Sequence, residues 1–303
     1  MNIRLGQAYS FHQLGQRGNQ EDARWPDTDK PSPEQRFFVV CDGVGGNEGG
    51  EIASQTVCES FGASLSLFNL DENFSNEDFS QCLDRAYDSL DKAAGRGNHD
   101  MATTLTLAVF HGGGCTLAHI GDSRIYHVRP SEGIIYRSDD HSLVNQMVHS
   151  GIITPEEAER HPQRNVITRY MGPVAEDQSR CMATVLKTKD IEKGDYFLLC
   201  TDGVLHNMSD EQILNLLRNS MPDEQKMREM AQRCSDSSDN NTAYLIRVDD
   251  VAMDEDEVSH ALNEDSNDTR KASTEYLSIE EIESVQQPHK EGVFSRIIKR
   301  IFQ

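Results

Sequence analysis

Six short apolar runs punctuate the first five-sixths of the chain, at residues 37–41, 103–110, 115–120, 124–128, 196–200 and 242–248. Each is short, rich in β-branched and aromatic residues, and bounded by turn formers, which predicts strands. The runs Phe37-Phe38-Val39-Val40-Cys41 and Phe197-Leu198-Leu199-Cys200 lack any polar alternation, the pattern of a strand covered on both faces. Between these groups apolar residues recur with helical spacing at 49–68, 76–94, 142–150, 155–161, 210–218 and 222–234. Pro155 and Pro222 are expected in the first turns of their helices, where a missing N–H costs nothing. Gly112-Gly113-Gly114 predicts a hairpin between the second and third strands. Gly121-Asp122-Ser123 predicts a tight turn that pairs the third with the fourth, antiparallel because a parallel crossover needs a dozen or more residues. Helices, then consecutive strands, then helices again point to antiparallel sheet covered by helices rather than a doubly wound fold.

The pattern stops near Asp249. Beyond it, polar and acidic residues dominate to Lys290, a composition with too little to bury. The organisation expected is therefore a catalytic domain over 1–248, an acidic disordered linker over 249–291, and a short basic amphipathic helix over 292–303. In that last segment Val293, Phe294, Ile297, Ile298, Ile301 and Phe302 share one half of a helical wheel, with Arg296, Lys299 and Arg300 on the other. It reads equally as a helix docked on its own domain and as an anchor for an anionic membrane or a partner's groove.

Composition narrows the function classes. A formal net charge of −22 repels phosphate backbones, so nucleic acid is not an expected partner. The seven cysteines are scattered without a CxxC pair, which argues against a zinc site or a disulfide framework and for buried, reduced thiols in a cytoplasmic protein. Residues 1–10 lack the apolar core of a signal peptide, and no run is long enough to span a bilayer. Neither a phosphate-cradling GxxxxGK nor a GxSxG elbow is present.

The candidate chemistry is carboxylate chemistry. Both doubly covered strands end in an acid followed by glycine, Asp42-Gly43 and Asp202-Gly203. A lone Asp-Gly only begins a turn. Two at the ends of buried strands, with Glu21-Asp22, Asp122 at a strand junction and Asp239 before the last strand, describe a group of acids on a strand-built core. Such a group needs cations, and an all-oxygen set without His or Cys favours Mg²⁺, Mn²⁺ or Ca²⁺. Two ions about 3.5–4 Å apart sharing one aspartate is the arrangement that serves phosphoester hydrolysis. No DxDxDG loop supports an EF-hand alternative.

These residues, in this order, resemble the metal-dependent protein phosphatases of type 2C. The resemblance is carried by Arg17-x-x-x-Glu21-Asp22, Asp42-Gly43-x-Gly45-Gly46, Thr103-Thr104, Gly121-Asp122-Ser123-Arg124, Asp139-Asp140-His141-Ser142, Thr201-Asp202-Gly203 and Asp239-Asn240, and the segment 143–172 looks like the bacterial branch. It implies an α+β fold, a sandwich of two antiparallel β-sheets flanked by α-helices, with the site at one end. It implies hydrolysis of phosphoserine and phosphothreonine in proteins by a metal-activated hydroxide at a dinuclear Mn²⁺ or Mg²⁺ site, without a covalent enzyme intermediate. By the same resemblance Asp42 bridges both metals, Asp202 and Asp239 complete the shell of the first, and Glu21 with the Gly43 carbonyl serves the second, with Asp22 acting through water. Asp122 with Asp202 matches a weaker third metal position, and Arg17 grips the phosphate oxygens.

Three departures stand out. A His that some relatives carry two residues after the bridging aspartate, proposed as a general acid, is Val44 here. Ser237-Ser238 replaces glycines before Asp239, and Ala102 replaces a glycine before Thr103. His12, His99, His119, His127, His141 and His161 are assigned no metal, and His141 is expected to hold a loop. Residues 143–180 are the candidate substrate-facing flap. The partners implied are phosphorylated proteins, a serine/threonine kinase or its substrates. The alternative is a catalytically weak phosphoprotein-binding regulator, against which the complete acid set argues.

Overall fold

The computed structural model describes residues 1–44, 49–95, 100–174, 179–252 and 275–276. In chain order the strands are β1 (Asn2–Leu5), β2 (Tyr9–Gln13), β3 (Asp22–Trp25), β4 (Phe37–Val44), β5 (Ala102–Thr103), β6 (Leu105–His111), β7 (Gly114–Ile120), β8 (Arg124–Arg129), β9 (Gly133–Arg137), β10 (Thr184–Thr188), β11 (Tyr196–Cys200), β12 (Asn241–Ala252) and β13 (Glu275–Tyr276). The helices are α1 (Gly49–Leu65), α2 (Asn76–Ala94), α3 (Leu143–His149), α4 (Pro155–Glu159), α5 (Asp202–Leu205), α6 (Asp210–Arg218) and α7 (Asp223–Arg233).

Every strand pair is antiparallel, and the strands form two sheets. One runs β1-β12-β11-β8-β9, with β2 also on β12; the other runs β13-β10-β7-β6-β4-β3, with β5 on the end of β4. The apolar runs at 37–41 and 196–200 are covered on both faces, as their patterns predict. In β4, Phe37, Val39 and Cys41 pack under α1 and α2, whereas Phe38 and Val40 face the other sheet. In β11, Phe197 and Leu199 face the inter-sheet core, and Tyr196, Leu198 and Cys200 pack under α6 and α7. Phe110 on Phe197, edge to face at 5.0 Å, and Phe38 tilted against Tyr244 at 5.2 Å link the sheets. The result is the four-layer α-β-β-α sandwich expected.

The structure departs from the sequence reading at several points. The turn at Gly121-Asp122-Ser123 does not pair its two strands: β7 lies in one sheet and β8 in the other. Asp122 therefore stands where the chain crosses between sheets. Gly121, at φ 103°, adopts the left-handed backbone that this crossing requires. The strands β1, β2, β3, β9 and β10 carry no apolar run, because each shows a mixed or half-exposed face that reads as loop. Pro155 follows the N-cap Thr154, but Pro222 is itself the N-cap of α7. Asp202 begins the one-turn helix α5 rather than a simple turn. β12 continues to Ala252, four residues beyond the expected domain end, because β1 pairs with it as far as Asn2↔Ala252. Of the expected linker, residues 249–252 belong to β12 and 275–276 form β13; the rest of it and the terminal helix expected over 292–303 lie outside the described residues, as do Gly45 and Gly46.

Candidate active site

Strand register brings the acids together. In the β3–β4 pair Asp22 is directly opposite Asp42. Like charges at opposed positions of an antiparallel pair destabilise it, so that position needs a reason. Across the other sheet, Arg124 of β8 and Ala243 of β12 both face Cys200 of β11. Asp122, Asp202 and Asp239 lie just past those ends, on three neighbouring chain segments. Sheet-to-sheet packing sets the two groups side by side, and the acids of each perturb those of the other.

The segments are pinned by neutral groups, leaving carboxylates free. Glu21 accepts at its carbonyl from the Gly43 amide (3.0 Å) and the Ser54 hydroxyl (2.6 Å). A Cβ at Gly43 would fall 2.4 Å from the Gly50 backbone and 2.6 Å from the Glu21 carbonyl, so only glycine admits this approach. Thr103 donates to the Asp42 carbonyl at 2.9 Å, and the Asp42 amide donates to the Thr104 hydroxyl at 2.9 Å. Asn240 ties the N-terminal loop to the last strand. Its Oδ1 accepts from the Glu21 amide (2.8 Å), and its Nδ2 donates to the carbonyls of Leu14 and Asn19 (2.8 and 3.0 Å). Ser237, one of the departures, is buried; its hydroxyl donates to the Gly203 carbonyl at 2.9 Å and accepts from the Asp239 amide at 3.3 Å. It thus braces the segments bearing Asp202 and Asp239 against each other.

Asp22 is buried, with Oδ2 accepting from the hydroxyls of Thr201 (3.0 Å) and Thr242 (2.7 Å). Its Oδ1 is buried without a partner, and so is Oδ1 of Asp202. Burial drives the Asp22 carboxyl up to about 8, against the pull of its two hydroxyl partners, with Asp202 and Asp239 adding to the rise. Burial, then Asp202, drives Asp122 up to about 7. Asp42 is pushed well above the usual carboxylate range by burial, then by Asp22, Asp202, Asp122 and Asp239. Burial also raises Asp202 and Glu21. Carboxyls this crowded hold protons at neutral pH unless cations replace them. The orphaned oxygens and the all-oxygen donor set fit hard divalent ions. Arg17 stands half-exposed at the rim, with Nη2 2.6 Å from Asp239 Oδ2. That hydrogen bond raises its guanidinium pKa further, so it is cationic at any working pH.

His141 holds a loop, as expected. Its Nδ1 accepts from the Gly121 amide at 3.1 Å, so Nε2 carries the proton towards the Thr184 hydroxyl at 2.9 Å. Its backbone carbonyl accepts from the Thr168 amide, and Met171 bridges to Thr103. The 143–172 segment is thereby fastened beside the acids at both ends. Cys41 and Cys200 are fully buried, and burial raises the Cys200 thiol, which fits inert packing. Sequence reasoning missed Thr201, Thr242, Ser54 and Ser237 as supports and passed over His206. Thr201 was visible within Thr-Asp-Gly, but side chains that bond backbone across more than thirty residues leave no local signal.

Carboxyls crowded in this way on a helix-covered pair of antiparallel sheets form a candidate centre for divalent cations. Residues 19–247 match the family described as Protein phosphatase 2C, and the chain belongs to it. Protein phosphatase PhpP of Streptococcus pneumoniae is 31% identical over 218 residues, covering 71% of this chain and 86% of that protein. The crystal structure of the serine/threonine phosphatase Stp1 from Staphylococcus aureus superposes with a TM-score of 0.69 at 30% identity, covering 82% of this chain and 98% of that one. The catalytic domain of the serine/threonine protein phosphatase PstP, solved with 2 manganese ions, superposes at 0.65 with 28% identity, covering 82% and 100%. The chain is thus a metal-dependent serine/threonine protein phosphatase, and its substrates are phosphorylated proteins. Among the described residues no helix is long and apolar enough to cross a membrane.

Proposed function

We propose that this phosphatase hydrolyses phosphoserine and phosphothreonine at a site for two Mn²⁺ or Mg²⁺ ions built by Glu21, Asp22, Asp42, Gly43, Asp202 and Asp239, with Asp122 and Asp202 available to a third. The observation that carries the reading is the convergence of raised carboxyls around two buried carboxylate oxygens that lack any partner. When bound, the ions acidify water for attack and neutralise charge on the phosphoryl group. Asp42, whose carboxyl feels Asp22, Asp202, Asp122 and Asp239 together, would be the acid to serve both ions. The Gly43 carbonyl and Glu21 offer oxygen on one side, and Asp202 and Asp239 on the other. Asp22, with one oxygen fixed by Thr201 and Thr242, orients water rather than substrate. Arg17 turns its guanidinium fork from Asp239 to the phosphate oxygens, a match of planar donors to a tetrahedral anion that holds the ester for in-line attack. Val44, at the end of β4, has no proton to give the leaving alkoxide, so protonation falls to water.

Residues 143–180, the candidate flap, include Ile152, Val166 and Tyr170, which are exposed, and are proposed as the surface that reads the protein substrate. The natural substrates proposed are a serine/threonine kinase and its targets. The place of action proposed is the cytoplasm, in keeping with seven free cysteines. For residues 292–303 the proposal remains contact with a membrane surface, a partner or the parent domain.

The test is hydrolysis of p-nitrophenyl phosphate and of phosphoserine and phosphothreonine peptides by chelator-treated enzyme, with and without added Mn²⁺ or Mg²⁺. Activity should vanish with chelator and return with metal; full turnover in metal-free enzyme would sink the two-ion reading. Asp42→Asn should hold kcat below about a tenth of wild type, a barrier rise above ~1.4 kcal/mol.

A further inference from the structure

Among the described residues, the ligand atoms of Asp202, His206 and Asp239 all lie within 4.8 Å of one another. The arrangement follows from α5. Asp202 and His206 are its first residue and its C-cap, four positions apart, so their side chains leave the same face one above the other. The His206 amide donates to the Asp202 carbonyl at 2.9 Å, which closes the turn and fixes that alignment. His206 Nε2 stands 3.6 Å from Asp202 Oδ2. Ions with bonds of about 2.1–2.3 Å hold adjacent ligands roughly 3–3.5 Å apart, so this pair already has nearly the spacing of two ligands on one ion. The other oxygen of the same carboxylate, Oδ1, is buried with no protein partner, so Asp202 has a second oxygen left over for an ion besides the one that faces His206.

We propose that His206 is a direct nitrogen ligand of the ion held by Asp202 and Asp239, and that it biases this site towards Mn²⁺ over Mg²⁺. The inference rests on the two-ion reading above and adds a donor which that reading leaves out. Mg²⁺ takes oxygen almost exclusively and keeps its water, whereas the first-row transition ions, Mn²⁺ the weakest of them, also accept imidazole nitrogen. Replacing one water by an imidazole therefore strengthens Mn²⁺ binding more than Mg²⁺ binding. Exposure of His206 at the mouth of the site leaves its ring free to rotate onto the ion and makes its substitution mild for the fold.

The test uses the full chain, stripped of metal. Calorimetric titration with Mn²⁺ and with Mg²⁺ gives both affinities, and pulsed electron paramagnetic resonance of the Mn²⁺-loaded protein reads any coupled nitrogen. The expected result is a histidine nitrogen coupling that changes isotope pattern on ¹⁵N-histidine labelling and disappears in His206→Asn. Outer-shell partners alone change metal affinity by 10–100-fold, so the Mn²⁺-to-Mg²⁺ affinity ratio should fall by about tenfold or more in His206→Asn. In His206→Asp, which keeps a ligand but changes its class, the ratio should also fall while Mg²⁺ affinity is retained. Mn²⁺ bound at the expected two equivalents without histidine nitrogen coupling, or with an unchanged ratio in both variants, overturns the role of His206 and leaves the two-ion reading standing. Failure of the wild-type chain to bind Mn²⁺ overturns both.

Discussion

Asp22 and Asp42 face each other across two strands, and among the described residues neither forms an ion pair with a basic side chain, although the charge of Arg17 reaches Asp42. Their raised carboxyls make a sign that can be measured. In the metal-free fold Asp22 releases its proton near 8 and Asp122 near 7, whereas the unfolded chain releases both near the ordinary aspartate value of about 4. Between those limits the folded state binds more protons, so these groups stabilise it fully in acid and stop doing so as pH rises through their folded values. The melting temperature of chelated protein should therefore fall as pH rises from about 5 to about 8.5, and saturating Mn²⁺ should flatten or reverse that slope because ions displace the protons. A metal-free profile flat over that range would contradict the electrostatics. Ser237 acts at the same scale through its two hydrogen bonds. Ser237→Ala leaves the Gly203 carbonyl and the Asp239 amide short of a partner, and should cost about 1–2 kcal/mol of stability. It should also weaken Mn²⁺ binding, read by calorimetry, while Ser237→Thr recovers part of both.

At the scale of elements, the site depends on how closely α5 sits against the start of β12. A Cβ at Gly203 would fall 1.9 Å from the Asn240 carbonyl oxygen, so Gly203→Ala must push apart the segments that carry Asp202 and Asp239. Thermal unfolding should show a loss of about 1–3 kcal/mol, the usual range for overpacking, with a fall in kcat larger than that loss of folded protein explains. Unchanged turnover would mean that the spacing of these segments does not matter. Most elements read correctly from sequence are covered on both faces or strongly periodic; α4, with no buried residue, is marked instead by its Thr154 cap and Pro155. Strands β4, β11 and β7 are fully or almost fully buried, and α2 has both its apolar stripe and a Ser75–Asp78 capping box. Strands β9 and β10 are half-exposed, so solvent-facing residues dilute their periodicity. The one-turn α5 is too short to show any helical period.

Across the whole molecule, Glu275 and Tyr276 pair with β10. β12 ends at Ala252 beside Asn2, and the Met1 amine donates to the Gly112 carbonyl in the β6–β7 hairpin. β10 ends at the same pole, where Thr188 pairs with Cys115. There Glu275 and Tyr276 pair with Lys187 and Leu186 on the free edge of β10. Strand addition to that edge protects amides that otherwise face water. Substituting both positions, Glu275→Pro with Tyr276→Pro, removes both donors from β13. Hydrogen exchange over 184–188 should then quicken by about tenfold while β6 is unaffected; identical exchange in both proteins would show that the pairing contributes nothing.

From its sequence alone, this chain specified the class of both sheets, the doubly covered strands β4 and β11, and the acids at their ends. These follow from local rules: apolar period and turn residues act within a few neighbours. Other features were decided only by tertiary structure. The Gly121 turn pairs no strands but crosses between sheets, because β7 finds β6 and β10 while β8 finds β11 and β9. Asp22 meets Asp42, and Asp122 meets Asp202, by strand register, which depends on partners more than fifteen residues away. His206 comes to Asp239 because a single helical turn folds back over the last strand. Long-range register and close backbone approach leave almost no mark on the residues that undergo them, and they place every acid of the site.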